Sequence, residues 1–311
     1  MNKINKLSHN TKVRNTIYFE AGIGVAGNSF LVLFHILRLV HGQRLRLTDL
    51  PIGLLALIHM LMLIAMSFLT TDIFMPRRRW GDTTCKFIMF SYRYLRSLSL
   101  CASSLLSILQ AITLSPRSSC LAKFKCKSPC YMLGCLLFLS VVYASISFPL
   151  LSYVIATPNL TSSSLIYLTE SCSLVPVSSF VRHTFYISLV VRDAIFVGLM
   201  AFSSGYMVTF LYKHKKQSQL LHSTRLSLKA FPEQRATRTI LYLMSFFVVM
   251  YTLDNFLAYL RLRSDDPVIY CMLILIGHSY ATVSPFLVLS TERSLINAFK
   301  SMYARTVNMY G

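Results

Sequence analysis

The chain has 311 residues, of which 54% are hydrophobic and only 14% are charged, and its formal net charge is +20. A soluble domain is about one-quarter charged, so this chain has too little polar surface to cover a globule in water. A positive charge of this size suggests nucleic acid only when it forms a basic face on a soluble fold, and here Lys and Arg fall mostly between apolar runs. The composition therefore predicts a membrane protein that contacts the lipid bilayer, with no nucleic-acid partner.

Seven mostly apolar stretches divide the chain. A helix that crosses a bilayer needs about 20 mostly apolar residues. Stretches that meet this need lie at approximately 16–40, 50–71, 87–113, 131–156, 184–212, 239–260 and 268–290. The third is the weakest because Arg93 and Arg96 interrupt it, and its Ser-rich remainder favours contact with other helices over contact with lipid. We therefore predict an all-α membrane protein, a seven-transmembrane helix bundle over residues 1–290, followed by a short cytoplasmic tail at 291–311.

Two of these stretches carry residues that shape contacts between helices. Gly24 and Gly27-Asn28 in the first span permit another helix to approach closely, and the Asn28 side chain can form hydrogen bonds with a neighbouring helix. Pro285 would kink the seventh span.

The orientation follows from the positive charges in the connections, since the inner connections of membrane proteins are rich in Lys and Arg. With the N-terminus outside and the C-terminus inside, the inner connections hold more Lys and Arg than the outer ones. The sequon Asn159-Leu160-Thr161 then lies outside, between the fourth and fifth spans, where Asn159 accepts an N-linked glycan. The sequence thus predicts a multi-pass glycoprotein of the plasma membrane.

Two cysteines fall on the predicted outer side. Cys85 begins the third span, and Cys172 lies in the connection between the fourth and fifth spans, so both face an oxidising compartment. We expect a Cys85–Cys172 disulfide that ties this connection over the mouth of the bundle; the alternative is two unpaired thiols. The sequence has no CxxC pair and no Cys/His cluster with zinc-like spacing, so we expect neither a metal nor a cofactor.

Several ionisable residues lie inside the apolar stretches, where they are costly and usually face the bundle interior or a wet cavity. At about 1.5 Å per residue, Arg93 lies roughly 12 Å and Arg96 roughly 16 Å inward from Cys85, and Asp193 lies at a similar depth. The predicted outer-half cluster consists of Arg93, Arg96, Arg192, Asp193, Asp254 and His278. Two interpretations stay open: a pocket for a small molecule, and an Arg–Asp pair, such as Arg93 with Asp193, that clamps the third and fifth spans together.

The connection between the fifth and sixth spans is the most basic on the predicted inner side. Residues 222–243 read HSTRLSLKAFPEQRATRTILYL and run without a break into the sixth span. Pro232 suits the first turn of a helix, and Glu233 is then favourably placed near its positive end. The sixth span would therefore project into the cytosol as a surface for a partner; the alternative is a signal for topology alone.

Five local motifs resemble those of vomeronasal type-1 receptors, a family of pheromone-type G-protein-coupled receptors. They are LRLTDL, LLSILQAITLSPRSSCLAKFK, LYKHKKQSQLLHSTRLS, PEQRATRTILYLMSFF and SPFLVL, and they extend from residue 45 to residue 289. Larger receptor families end the third span with an acidic-Arg-aromatic triplet and carry Asn-Pro-x-x-Tyr in the seventh. This chain has Gln110-Ala111-Ile112-Thr113 and Ser284-Pro285-Phe286-Leu287 instead. Within the vomeronasal pattern, Arg93 and Arg96 are kept, while Tyr92 and Ser97 replace the usual His and Gly.

The resemblance implies a chemosensory receptor. Its partners would be a small organic ligand, pheromone-like or volatile, bound in the outer half of the bundle, and a heterotrimeric G protein of the inhibitory class, engaged by the basic inner surface. The residues expected to face the G protein are Arg117, Lys213, Lys215, Lys216, Arg235 and Arg238.

Other functions fit the sequence less well. A bitter-taste-type chemoreceptor also lacks the acidic-Arg-aromatic triplet, but the third inner connection favours the vomeronasal pattern. A membrane transporter usually shows internal repeats, which this chain lacks. An enzyme is not expected, because the sequence has no HExxH motif, no GxSxG motif and no carboxylate pair placed for catalysis.

Overall fold

The computed structural model is a bundle of long helices. It describes residues 11–40, 49–74, 79–116, 129–148, 150–157, 166–175, 178–221, 232–263 and 267–289. The long helices within these residues are α1 (Thr11–Val40), α2 (Asp49–Phe74), α3 (Asp82–Leu114), α4 (Pro129–Ser147), α6 (Ser179–Leu221), α7 (Pro232–Arg263) and α8 (Pro267–Leu289). A single helical turn, α5 (Leu150–Tyr153), follows α4. The all-helical prediction for the bundle is confirmed.

The connection between α4 and α6 forms a small antiparallel sheet. Its strands are β1 (Val154–Ala156), β2 (Ile166–Tyr167) and β3 (Cys172–Leu174), with β3 in the centre. Ala156 pairs with Cys172, and Ile166 pairs with Leu174. We call this three-stranded sheet the strap. The sequence analysis predicted no strand here.

Within the part of the chain that the structure describes, six helices are long and apolar enough to cross a membrane. The apolar regions lie in α1, α2 and α3, and in Ile187–Lys213, Leu241–Leu260 and Cys271–Leu289. In α4, the apolar helical stretch within the described residues is the shorter Gly134–Ser145. The third span, which is the weakest in the sequence, is therefore long and apolar enough to cross a membrane. That α4 also crosses stays a prediction.

Helix α3 is the most enclosed of the six. In its most apolar stretch 67% of the residues are buried, against 22% in α1. Small side chains allow other helices to approach it closely: Ser99, Ser103, Ser104 and Ser107 are each at most 1% exposed. The Ser-rich half of α3 thus faces other helices, as its composition indicated. The main apolar core lies beside it and includes Met62, Leu63, Leu100, Leu106, Met244 and Phe247.

A buried histidine on α2 links three helices. His59 is 1% exposed, its Nε2 lies 2.8 Å from Ser99 Oγ on α3, and its Nδ1 lies 2.9 Å from Ser284 Oγ on α8. The ring also packs edge-on against Tyr280, at 5.3 Å between centroids. Both ring nitrogens are therefore satisfied within the protein, as buried polar groups require.

Helix α1 is joined to α8 at a proline. Pro285 has no N–H, so the carbonyl of Ala281, four residues earlier, lacks its normal helical donor. Asn28 on α1 supplies the missing hydrogen bond, with its Nδ2 2.9 Å from the Ala281 oxygen. Gly27 allows this approach, because a Cβ atom there would lie 3.0 Å from Pro285 Cγ. The prediction that Gly27-Asn28 would permit close helix contact is confirmed.

Gly24 provides a direct test of how closely α1 packs. A Cβ atom at Gly24 would lie 2.7 Å from Leu63 Cδ1 and 3.1 Å from the Thr282 backbone, whereas one at Gly22 would meet nothing within 4 Å. We expect Gly24→Ala to reduce the free energy of unfolding by about 1–3 kcal/mol, because α1 must move away from α2 and α8. Gly22→Ala is the matched control and should be neutral or slightly stabilising. Thermal unfolding of the solubilised variants measures both; equal midpoints would contradict the packing described.

Candidate ligand-binding site

A disulfide ties the strap to the start of α3. Cys85 and Cys172 are bonded and fully buried, and Trp80, Met89 and Leu174 pack against them. The predicted bridge is confirmed. We call the end of the bundle that carries it the disulfide end.

Two carboxylates hold the strap as well. Asp72, near the end of α2, accepts hydrogen bonds from the backbone N–H of Ser171 at 2.9 Å and from its hydroxyl at 2.5 Å. Asp82, in the first turn of α3, accepts one from the backbone N–H of Ala156 at 2.6 Å. Sequence reasoning assigned no role to either residue. The sequence shows only that each is an acidic residue near the end of a helix, in a chain with few acidic residues.

The observed ion pair between helices differs from the Arg93–Asp193 pair that the similar depths of these residues suggested. Arg96 on α3 pairs with Asp254 on α7. Asp193 instead accepts two hydrogen bonds from its neighbour Arg192, at 2.8 and 2.7 Å. Arg93 makes no ion pair with any carboxylate in the described part of the chain. The clamp thus joins α3 to α7, rather than the third span to the fifth.

Aromatic rings explain this choice of partners. The Arg192 guanidinium lies 5.2 Å from the ring centre of Tyr143 on α4, so it is held beside Asp193 and neutralises it within α6. The Arg96 guanidinium lies 5.4 Å from the ring of Tyr251, three residues before Asp254 and on the same face of α7. Cation–π contacts of this kind stabilise a desolvated guanidinium. Each ring orients one arginine towards one carboxylate.

Gly277 makes room for the Arg96–Asp254 pair. A Cβ atom at this position would lie 3.1 Å from Asp254 Oδ1 and 3.6 Å from Arg96 Nη1. The next residue, His278, is buried, and its ring centroid lies 5.9 Å from that of Tyr92. His278 stands out in the sequence because it is an ionisable residue in an apolar helix, whereas Gly277 does not stand out there.

The six predicted cluster residues interact with one another. Arg96, Asp254 and His278 lie together around Gly277, and Arg93 is one turn from Arg96. Arg93 is close enough to Arg192 for the two like charges to repel, and Arg96 is close enough to Asp193 for the opposite charges to attract. Asp193, Asp254 and His278 are buried, and the three arginines are partly buried. The cluster is one charged region crossing four helices: α3, α6, α7 and α8.

The remaining predicted positions are only partly described. Lys213 and Lys216 are exposed near the end of α6. Arg117 and Asn159 lie outside the described residues, as do the side chains of Lys215, Arg235 and Arg238. Helix α7 is described from Pro232 onward, so a helix start at Pro232 stays a prediction, and its apolar stretch within the described residues is Leu241–Leu260. Within the described ranges, no group of three His, Cys, Asp or Glu residues is placed to hold a metal ion.

Among the described residues, six helices long and apolar enough to cross a membrane surround a buried charged cluster, as expected of a multi-pass membrane protein. The sequence model of the vomeronasal organ pheromone receptor family matches residues 11–301. The chain therefore belongs to this family of G-protein-coupled chemosensory receptors, whose members are multi-pass membrane proteins of the plasma membrane and signalling receptors rather than enzymes. Family membership does not favour the bitter-taste alternative.

Similar proteins share the sequence over almost its whole length. The chain is 63% identical to vomeronasal type-1 receptor 54 of Mus musculus over 309 residues, which are 99% of this chain and 98% of the relative. It is 51% identical to vomeronasal type-1 receptor 43 of Mus musculus over 99% of this chain and 94% of that one. It is 50% identical to vomeronasal type-1 receptor 94 of Rattus norvegicus over 99% and 95%.

Charge reversal tests the ion pair between α3 and α7. We expect Arg96→Asp and Asp254→Arg, singly, to destabilise the protein by about 3–5 kcal/mol, because each leaves an unpaired charge in the bundle. The double reversal should recover part of the loss. Surface expression and thermal unfolding of the solubilised protein give the two measurements.

The control for the charge reversal changes Arg93, which lies one helical turn from Arg96, in place of Arg96. Arg93→Asp combined with Asp254→Arg alters the same charges but does not reconstitute the observed pair, so it should show no recovery. Equal recovery in both doubles would contradict a specific Arg96–Asp254 contact.

Proposed function

We propose that the chain binds a small organic ligand in the cluster at the disulfide end and passes the binding signal to a heterotrimeric G protein at the opposite end. In this proposal α4 completes seven spans across residues 1–290, the N-terminus and the disulfide end lie outside, and residues 291–311 form a tail inside. Arg93, Arg96, Arg192, Asp193, Asp254 and His278 contact the ligand or position the groups that do. Family membership supports a receptor of this type.

The Arg96–Asp254 pair, in the half of the bundle that carries the disulfide, is the observation that carries the proposal. Ionisable groups inside a membrane are costly and usually mark functional sites. Here one arginine, Arg93, remains without a carboxylate partner in the described residues, so the pairs seen there do not account for all of the charge. Small-molecule sites combine an apolar wall with a few polar groups that converge on one point. The cluster has this composition, because Tyr92 adjoins both the charges and an apolar group that includes Met66, Ile73, Phe74 and Ile274.

Helix α7 connects the two ends of the receptor. It carries Asp254 towards the disulfide end and extends to Pro232 at the other. A ligand that binds better to one arrangement of α3 and α7 than to another shifts the population towards that arrangement, and it needs nothing more than this difference in affinity. The exposed Lys213 and Lys216 lie near the end of α6. We infer that these residues, with Arg117, Lys215, Arg235 and Arg238, face a G protein of the inhibitory class.

Activation in cells tests this function. Cells that express the full chain with reporters for inhibitory and other G-protein classes are exposed to a panel of small volatiles and steroids. We expect a ligand-dependent response through the inhibitory class. Lys213→Gln with Lys216→Gln should lower the maximal response while surface expression stays normal, because exposed charges contribute little to stability.

Glycosylation separates a failure of topology from a failure of function. Asn159 should carry a glycan at the cell surface, and Asn159→Gln should remove the corresponding shift in apparent mass. A glycosylated surface receptor that responds to no ligand with any G protein would refute signalling by this chain alone. A surface receptor without the glycan would refute the proposed orientation.

A further inference from the structure

Two buried hydrogen-bond acceptors in the cluster have no donor. Among the described residues, Asp254 Oδ1 and His278 Nε2 are both buried and accept no hydrogen bond. Asp254 contacts Arg96 through its other oxygen. His278 Nδ1 bonds to the Ile274 carbonyl, and a carbonyl only accepts, so Nδ1 carries the proton and Nε2 presents a lone pair. Both atoms therefore require a donor that the described protein does not supply.

The residues that carry the two acceptors both lie next to Gly277 and Tyr92. Gly277 directly precedes His278, and a Cβ atom at Gly277 would lie 3.1 Å from Asp254 Oδ1 and 3.9 Å from the Tyr92 hydroxyl. Tyr92 also packs beside the His278 ring. Asp254, Tyr92 and His278 therefore meet around Gly277, where a side chain would press on Asp254 Oδ1. Buried acceptors without a donor are rare in folded proteins, and each calls for a missing partner.

The charge of the cluster limits what this partner can be. Three guanidinium groups, Arg93, Arg96 and Arg192, face two carboxylates, and Arg93 lacks a carboxylate partner within the described ranges. The excess positive charge disfavours a cationic amine. A ketone, ester or ether has only acceptor atoms and would leave His278 Nε2 and Asp254 Oδ1 unsatisfied. A neutral hydroxyl group adds no charge, donates one hydrogen bond to one of the two acceptors, and accepts one from a guanidinium.

We propose that the ligand is a neutral alcohol whose hydroxyl group donates to His278 Nε2 or Asp254 Oδ1. This inference rests on the proposed function, because it names the ligand class for the same site. In this proposal the hydroxyl group reaches Asp254 or His278 near Gly277, and the hydrocarbon body lies against Tyr92 and the apolar residues that pack with it. A site built around a hydroxyl group discriminates strongly against analogues that lack it, since they leave its polar groups unpaired.

Binding to the purified receptor tests the hydroxyl assignment without any need for signalling. Medium-chain and cyclic alcohols are each compared with the corresponding ketone and methyl ether. The readout is the thermal midpoint of the detergent-solubilised full chain. We expect the alcohol to raise the midpoint at a concentration about tenfold lower than either analogue, as expected for one hydrogen bond to a buried acceptor.

His278→Phe keeps a flat ring but removes the acceptor, and it should abolish the advantage of the alcohol. His35→Phe is the matched control: His35 is a buried histidine on α1 whose Nδ1 also bonds to the carbonyl four residues earlier, Leu31, at 2.8 Å. It should retain the full preference for the alcohol. Persistence of that preference in His278→Phe would overturn the role of Nε2.

The remaining outcomes separate the two proposals. Equal shifts with alcohol, ketone and ether, or no shift with any of them, would overturn the alcohol assignment and leave ordered water as the donor. Selective binding of the alcohol without G-protein activation would refute the proposed function while the ligand class stands. Activation by ethers and ketones as readily as by alcohols would refute the alcohol as ligand class, while the proposed function stands.

Discussion

The dominant constraint on this bundle is the cost of placing charge where water is scarce. A guanidinium in the hydrocarbon region is tolerated when it faces the protein interior and finds a partner. Arg96 meets this condition through Asp254 and the ring of Tyr251, and Arg192 meets it through Asp193 and the ring of Tyr143. Because these arginines must face inward, they fix the rotation of α3 and α6 about their axes. The most enclosed helix, α3, carries two of the three arginines.

A second polar region extends this arrangement towards the middle of the bundle. The Tyr251 hydroxyl donates to the backbone oxygen of Arg96 at 3.0 Å, and the Tyr251 ring packs against Tyr280 and Phe247. The Tyr280 hydroxyl lies 3.3 Å from Ser99 Oγ, which also contacts His59. Polar side chains between helices supply directed contacts that apolar packing in lipid does not. The ion pair and the His59 contacts thus belong to one continuous interior.

The sequence identified the members of the cluster better than it identified the partner of each member. Charges are rare in apolar helices, so Arg96, Asp254 and His278 stood out from composition alone. Their pairing depends on helix rotation and on neighbouring rings, which a spacing argument does not contain. Asp72 and His59 were missed for a related reason. Each acquires its role through a distant residue, Ser171 for Asp72 and Ser284 for His59, with sequence separations of 99 and 225. No local pattern records contacts of that range.

The contact between Asn28 and Ala281 has a mechanical consequence. A proline in a helix usually leaves a weak point at which the two halves bend independently. Here the Asn28 amide on α1 substitutes for the backbone donor that Pro285 lacks, so a hydrogen bond joins the two helices at the proline. Bending α8 there without α1 would break that bond inside a buried interface. Helices α1 and α8 are therefore coupled at Pro285, so that a movement of one helix there involves the other.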